Sequence, residues 1–184
     1  GRHHTFSQFS SWTFIAGVHT VLASPVVIHP TALLVENDAL RSAGVSDAVR
    51  RLLIDARCRV ITPFHQAAGR LREIVRGDEA HGSCGVGFGE AVKDSLEHPE
   101  ECLTYGDLAE TASALAKLES VRQRLLDEFR SADMPDQRAS DEMRILESGS
   151  VSRRWLEIAA ALLPLSPPAP AARIAERLHL PGSV

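Results

Sequence analysis

A glycine-rich segment at residues 81–90 carries the residue types of this chain that are best suited to binding an anion. Its sequence is HGSCGVGFGE, and four of the eight residues from 82 to 89 are glycines. Glycine adopts positive φ without strain and lets a ligand approach the backbone, while the start of a following helix offers unpaired N–H groups. The spacing predicts a phosphate-binding loop, although a tight turn without a ligand has the same pattern.

Cysteine and histidine are the other residue types that could do chemistry here. Cys84 lies in the glycine-rich segment beside a predicted helix start, where a thiolate nucleophile is favoured. The alternative, a small loop side chain, is preferred because no histidine with an orienting carboxylate can be placed beside it. Cys58, Cys84 and Cys102 form an odd set without a C-x-x-C pair, which argues against a disulfide framework or a zinc site. His3 and His4 would point to opposite faces of a strand, which makes them a poor metal-binding pair. We therefore interpret them as exposed strand ends.

Nucleotide-hydrolysing motifs are absent from the sequence. Its two lysines, Lys93 and Lys117, do not lie in a G-x-x-x-x-G-K-[ST] pattern, and its single asparagine, Asn37, excludes an N-K-x-D motif. We interpret Asp55 and Asp94 as solvated or capping carboxylates. The sequence therefore predicts no catalytic residue and no metal ligand in this chain.

Length and composition fit one globular domain of 184 residues, with 44% hydrophobic residues and a net charge of -4. That charge offers no general attraction for nucleic acid or an anionic membrane. The longest apolar run, at residues 158–165, is too short to cross a bilayer and is interrupted by Pro164, and no signal-peptide pattern opens the chain. We expect a cytoplasmic protein without nucleic-acid or membrane partners. Strand-like sequence at the first residue and a turn signal at 180–184 predict a chain cut at both ends.

The elements that must position the glycine-rich segment alternate between strands and helices. Hydrophobic periodicity and turn residues predict strands at 1–9, 25–30, 51–55 and 58–61, and helices at 31–43, from Pro63 to Gly77, and from the glycines to His98. No element is predicted for residues 10–24.

The second half is predicted to be mostly helical. Asp107 and Glu110 form a D-x-x-E capping box at the start of a long helix. A loop at 131–137, a helix at 150–163 with Trp155 and Ile158 facing inward, a Pro-rich interruption at 166–170 and a short helix from Ala171 follow. The fold class is therefore α/β, with a mixed or mostly parallel sheet and flanking helices in residues 1–105 and a largely helical subdomain after it. We divide the chain into an α/β core segment at 1–106 and a helical segment of the same domain at 107–184.

Five motifs in order resemble the adenylosuccinate synthetase family over about residues 1–110. They are PVVIHPTAL from Pro25, RLLID from Arg51, TPFH from Thr62 followed by Ala68 and Arg72-Glu73, the glycine-rich segment, and YGDL from Tyr105. The family loop reads G-T-T-G-R-G-I-G-P-A-Y, and this chain has G-S-C-G-V-G-F-G-E-A-V at residues 82–92.

The resemblance implies a GTP-dependent ligase that joins IMP to aspartate with Mg2+, through a phosphorylated purine intermediate, in a homodimer. The family's second loop threonine, which binds the IMP phosphate, falls on Cys84. The implied IMP-phosphate site is therefore Ser83, Cys84, Gly85 and Gly87. Because a thiol is a weaker donor than a hydroxyl, the contact would rely more on Ser83 and on backbone N–H groups.

The sequence departs from the family at its arginines. Val86 replaces the loop arginine, and the arginine that reaches the partner subunit has no match, since no arginine occurs between Arg76 and Arg122. The resemblance places the family's catalytic residues and its GTP and Mg2+ ligands before Gly1 or after Val184. We expect an internal segment without turnover of its own. The alternatives are a non-catalytic remnant or interaction module of this fold, and a paralogous ligase with another substrate.

Overall fold

Parallel strands form the centre of the fold. In this computed structural model, which describes residues 3–79, 82–131 and 137–178, the strands are β1 (Thr20–Leu22), β2 (Val27–Ile28), β3 (Leu52–Asp55), β4 (Arg59–Val60) and β5 (Pro168–Ala169). β1 and β5 flank β3 in a three-stranded parallel sheet, and β2 pairs in parallel with β4. Thr20 lies opposite Leu52 and Val27 opposite Arg59, so both ladders have the same offset along the chain. The segments β1–β2 and β3–β4 therefore run side by side, with a break in the pairing between the two ladders.

Helices cover these strands. They are α1 (Pro30–Ser42), α2 (Pro63–Arg76), α3 (Phe88–Glu97), α4 (Thr111–Phe129), α5 (Gln137–Glu147), α6 (Ser150–Ala160) and α7 (Ala171–Leu178). α1 and α2 each have proline in the first turn and a capping side chain before it, from His29 and Thr62. α2 buries Phe64 and Leu71 on one face, as its periodicity predicts.

One hydrophobic cluster connects the strands to the helices of the second half. Fully buried members come from α1, β3, α2, α4 and α5, namely Leu33, Ile54, Phe64, Leu118 and Leu146. Burying each such side chain stabilises the fold by roughly 1.5–3 kcal/mol. The predicted α/β class with parallel pairing is confirmed, as are the strands near 25–30, 51–55 and 58–61 and the helices α1, α2, α3 and α6.

The predicted opening strand is wrong over residues 3–9, which form no strand. The backbone N–H groups of Ser7 and Gln8 instead donate to the carboxylate of Glu36, at 2.8 and 2.9 Å. His4 is half-buried beside the same carboxylate, so it is not an exposed strand end. The buried Glu36 carboxylate thus accepts the backbone hydrogen bonds that a neighbouring strand would otherwise accept. β1 lies instead in segment 10–24, where no element was predicted.

The predicted capping box at Asp107 is also wrong. Its carboxylate accepts hydrogen bonds from the Thr104 N–H and the Lys117 ammonium, both at 2.8 Å. Residues Gly106–Ala109 form a 3-10 turn, and α4 begins at Thr111 without a side-chain cap from Glu110. The long-range ion pair with Lys117 has displaced the local capping geometry.

Three further predictions for the second half need correction or lie outside the described residues. The sequence did not predict α5, and most of the predicted loop at 131–137 lies outside the described part of the chain, as do residues 80–81 and 179–184. Ile158 is 50% exposed and does not face inward, whereas Trp155 is buried. β5 occupies the Pro-rich interruption at the sheet edge, where proline is tolerated. Within the described ranges, no helix is both long enough and apolar enough to span a membrane.

Candidate phosphate-binding site

Three helix N-termini meet where the β2–β4 ladder ends. Because β2 and β4 are parallel, the helices that follow them, α1 and α2, start at the same edge. His29 caps α1, and its Nε2 lies 3.1 Å from Nε2 of Gln66 in the first turn of α2. The start of α3 packs against the same turn through Gly87. Helix N-termini carry partial positive charge, so this edge favours an anion.

Gly87 fixes the glycine-rich segment against α2. Its φ is +85°, and a Cβ there would lie 2.8 Å from the backbone nitrogen of Gln66 and 2.9 Å from the carbonyl carbon of His65. Both are helix backbone atoms that cannot rotate away. Gly85 also has positive φ, at +64°, and a Cβ there would lie 3.2 Å from the Arg70 side chain. Both positions therefore require glycine, as the sequence predicts, and Gly87 tolerates a side chain least because its neighbours are backbone atoms.

Backbone N–H groups of the segment are available to a ligand. Gly87 is the N-cap of α3 and gives no side-chain cap. The N–H groups of residues 84–87 make no hydrogen bond to any residue that the structure describes. Gly85 and Gly87 have positive φ, the conformation found in backbone nests whose successive N–H groups bind anions.

A carboxylate of the protein already accepts hydrogen bonds from the N–H groups of Gly82 and Ser83. Glu73 Oε2 accepts from Gly82 at 2.9 Å and from Ser83 at 3.2 Å, while its Oε1 accepts from Arg76 at 2.7 Å. The hydrogen bond from the Ser83 N–H is the main reason that the pKa of Glu73 lies below its usual range. Part of the segment thus holds an anionic oxygen supplied by the protein itself.

A cavity of about 330 Å³ opens beside the segment. Ser83 and Gly85 line one side of it, and Arg70 and Glu73 of α2 line another, with α5 closing the far wall. The Arg70 guanidinium lies 2.6 Å from Glu142 of α5 and donates to the Gly85 carbonyl at 3.4 Å. The volume is near the lower end of the range for small-molecule sites.

Of the four site residues predicted from the sequence, Ser83 and Gly85 line this cavity, whereas Cys84 and Gly87 are not among its lining residues. Ser83 and Cys84 are exposed, Gly85 is half-buried and Gly87 is buried. Cys84 is a free thiol, as are Cys58 and Cys102. The side chain of Val86 is 40% exposed, so it leaves the face of the loop without a cation at that position.

Asp94 is a buried anchor of α3, which corrects its interpretation as a solvated or capping carboxylate. It is only 7% exposed, and its Oδ1 accepts from Arg124 of α4 at 2.7 Å. Its Oδ2 lies 3.6 Å from Nε2 of His65 in α2, and His65 is 2% exposed. Burial opposes ionisation of Asp94, but the adjacent His65 ring together with the hydrogen bond and charge of Arg124 outweighs it and lowers the pKa of Asp94. We call Asp94, His65 and Arg124 the α3 anchor.

Asp55 is buried too, so the same interpretation is wrong there. Its side chain is fully buried at the end of β3 and accepts from the Arg57 guanidinium at 2.7 and 3.0 Å. These hydrogen bonds lower the pKa of Asp55 despite its burial. Asp55 therefore holds the turn between β3 and β4 rather than a ligand.

Among the described residues, no group of three or more His, Cys, Asp or Glu side chains is arranged to hold a metal ion. The acidic residues near the glycine-rich segment are engaged instead with arginine, as Glu73 is with Arg76 and Glu142 with Arg70.

Comparison with protein-family models gives a match over most of the chain. Residues 1–156 match the model described as adenylosuccinate synthetase. The matched range includes the strands β1–β4, the glycine-rich segment and the α3 anchor.

Curated proteins similar to this chain carry the same description. An adenylosuccinate synthetase of Marinomonas sp. (strain MWYL1) is 36% identical over 105 residues, which are 57% of this chain and 24% of that protein. Adenylosuccinate synthetase 1 of Pseudoalteromonas translucida (strain TAC 125) is 40% identical over 104 residues, 56% of this chain and 23% of that protein. The enzyme of Edwardsiella ictaluri (strain 93-146) is 38% identical over 106 residues, 58% and 24% of the two chains. The match thus spans about a quarter of the length of these relatives.

Proposed function

The chain belongs to the adenylosuccinate synthetase family, and from this premise we propose that it supplies the nucleotide-phosphate loop of an adenylosuccinate synthetase-like ligase. Ser83, Cys84, Gly85 and Gly87 bind the phosphate of IMP in this role. The observation that supports the proposal best is the run of N–H groups at residues 84–87, which lack partners among the described residues and lead into the uncapped start of α3. The same proposal includes that the ligase is a homodimer and is located in the cytoplasm.

Binding rests on the backbone more than on side chains. The N–H groups of residues 84–87 donate to phosphate oxygens, and the exposed Ser83 hydroxyl adds one further donor. The Cys84 thiol is a weak donor, and Val86 contributes none. The partial positive charge at the start of α3 adds electrostatic attraction without a salt bridge. The loop orients the phosphate of the nucleotide, whereas groups outside these residues contact the reacting purine.

GTP and Mg2+ do not fit the residues of this chain. Neither Lys93 nor Lys117 lies in a phosphate-binding motif, and the described acidic residues provide no metal-ligand set. In this proposal, GTP and Mg2+ are therefore bound by parts of the ligase outside these residues.

A second candidate function, a non-catalytic remnant or interaction module of this fold, is supported by two features that weaken phosphate binding at the loop. The Glu73 carboxylate already bonds the N–H groups of Gly82 and Ser83. Val86 also stands where the family has arginine, so a bidentate phosphate contact is lost. A paralogous ligase with a different phosphorylated substrate is the remaining alternative, and the same loop would serve it.

Replacing Cys84 with threonine tests the phosphate assignment. We expect Cys84→Thr to tighten IMP binding by roughly tenfold, because a hydroxyl donates a stronger hydrogen bond to a phosphate oxygen than a thiol does. Isothermal titration calorimetry of the protein with IMP measures the change. Binding of inosine, which has no phosphate, is the matched control and should not respond to the substitution.

A second substitution, Gly85→Val, tests the backbone geometry of the loop. A β-branched residue at φ +64° is strained, and its Cβ would crowd Arg70, so we expect IMP affinity to fall at least tenfold. Circular dichroism melting checks that the variant remains folded. Equal IMP affinity in the unsubstituted protein, Cys84→Thr and Gly85→Val would rule out the phosphate-loop proposal.

A further inference from the structure

A second cleft lies at the opposite ends of the parallel strands. Its volume is about 320 Å³. The cleft is lined by residues that lie just before three strands: His19 before β1, Arg50 two residues before β3 and Pro167 before β5. The cleft therefore opens at the amino ends of the strands, whereas the glycine-rich segment packs where the β2–β4 ladder ends. The two regions have no lining residue in common.

Positive charge dominates this cleft. α7 runs back from the end of β5 and contributes Arg173 and Arg177, one helical turn apart, while Arg50 approaches from the other side. Glu176 is the one carboxylate among the lining residues. The side chains of Arg50 and Arg173 form no hydrogen bond or ion pair with any described residue. Three guanidinium groups thus gather around one carboxylate in a chain whose net charge is -4.

The histidine in the cleft has competing polar contacts. His19 Nδ1 lies 3.1 Å from the Gly17 carbonyl oxygen and also contacts Nη2 of Arg177. The first contact requires a proton on Nδ1 and the second requires a lone pair there, so one protonation state cannot satisfy both. An oxyanion that accepts from Arg177 would remove this conflict and leave His19 to donate to Gly17.

The wall between the charges is rigid and apolar. Ser166 is buried; its hydroxyl donates to the Leu52 carbonyl at 2.8 Å, and its carbonyl accepts from Tyr105 at 2.5 Å. These bonds fix the segment that presents Leu165 and Pro167 to the cleft. A wall held in this way loses little conformational entropy when a ligand binds.

We propose that this cleft is a second anion site, which binds the phosphate group of a small molecule through Arg50, Arg173 and Arg177. Guanidinium groups match phosphate oxygens in bidentate geometry. Leu165 and Pro167 offer contact to an apolar part of the same ligand. The proposal is independent of the role of the glycine-rich segment.

Calorimetric titrations with inorganic phosphate and with phenyl phosphate, at low ionic strength, test this site. We expect the double substitution Arg50→Ala/Arg173→Ala to weaken binding of the probe by about tenfold or more. The matched control is Arg41→Ala/Arg130→Ala, which removes two exposed guanidinium groups elsewhere and should leave the affinity unchanged. Phenyl phosphate binding more tightly than phosphate indicates a ligand with an apolar part, and equal affinities indicate the free anion.

The Gly85→Val variant separates this inference from the loop proposal. If the site is in the second cleft, Gly85→Val retains the binding that Arg50→Ala/Arg173→Ala loses. Loss in Gly85→Val alone would assign the phosphate to the glycine-rich segment and overturn the inference. An equal loss in the Arg41→Ala/Arg130→Ala control would overturn it as well, because non-specific charge would then explain the affinity. Melting curves of each variant confirm that the fold is intact.

Discussion

The substitution Asp94→Ala is expected to destabilise the protein by about 2–4 kcal/mol, which lowers Tm by roughly 5–15 °C. Removing the carboxylate takes away the ion-pair partner of the buried His65 Nε2. Among the described residues, it leaves the Arg124 guanidinium with Glu101, a more exposed residue, and with the Ser120 hydroxyl. A broken buried pair costs more than a lost surface pair because a charge stays desolvated. The Arg124 side chain is 22% exposed, so water offsets part of this cost. Thermal and urea unfolding measure the loss.

An exposed carboxylate of similar geometry provides the control for Asp94→Ala. Asp141 in α5 pairs with Arg144 at 2.6 Å, but both side chains are largely exposed. We expect Asp141→Ala to change the free energy of unfolding by less than about 0.5 kcal/mol. If Asp94→Ala cost no more than Asp141→Ala, the α3 anchor would have no role in stability.

The pH dependence of stability gives a second test of the α3 anchor. The pKa of Asp94 is lower in the folded protein than in the unfolded chain, where it has its ordinary value of about 3.9. Its contribution is therefore fully present above the unfolded pKa and is lost as pH falls through the lower, folded pKa. Between pH 6 and pH 3 we expect the unsubstituted protein to lose more stability than Asp94→Asn. Parallel losses in the two proteins would contradict this assignment.

The sequence predicted a helix or strand correctly where several local signals indicated the same element. α2 has a proline in its first turn, a periodic apolar face and a terminal glycine at the predicted places, and Thr62 adds a side-chain cap that was not predicted. β1 was missed because three residues are too few for a period-2 pattern to stand out. Asp107 matched a capping-box pattern, but Lys117 in the following helix takes its carboxylate instead.

The candidate site was predictable only in part, for a related reason. Glycine spacing and family resemblance predicted the loop, since the backbone conformation depends on glycines close together in the sequence. The α3 anchor joins Asp94 to His65 and Arg124, which lie on different helices, so no local pattern indicates it. The one available signal is helical spacing, because Asp94 follows the buried Ala91 by three positions and therefore shares its inward face.

Gly87→Ala is expected to have the largest effect of any single methyl group added to the glycine-rich segment. Its Cβ would lie within 3 Å of two backbone atoms of α2, and alanine at φ +85° is strained even without a neighbour. Overpacking and backbone strain together cost about 2–4 kcal/mol. The loop must move off α2 to relieve the clash, so we also expect IMP affinity to fall at least tenfold.

Neighbouring glycines supply graded controls for Gly87→Ala, measured by urea unfolding and by calorimetry with IMP. A Cβ at Gly89, inside α3, meets no atom within 4 Å, so Gly89→Ala should be neutral or stabilise by up to about 1 kcal/mol. Gly85→Ala should fall between the two, because its φ is positive but its neighbour is the flexible Arg70 side chain. The expected order of damage is therefore Gly87, Gly85, Gly89. If Gly89→Ala damaged stability as much as Gly87→Ala, contact with α2 would not explain the effect of Gly87→Ala. If Gly87→Ala destabilised the protein yet kept full IMP affinity, the packing would be confirmed, and the loop would be excluded as the phosphate site.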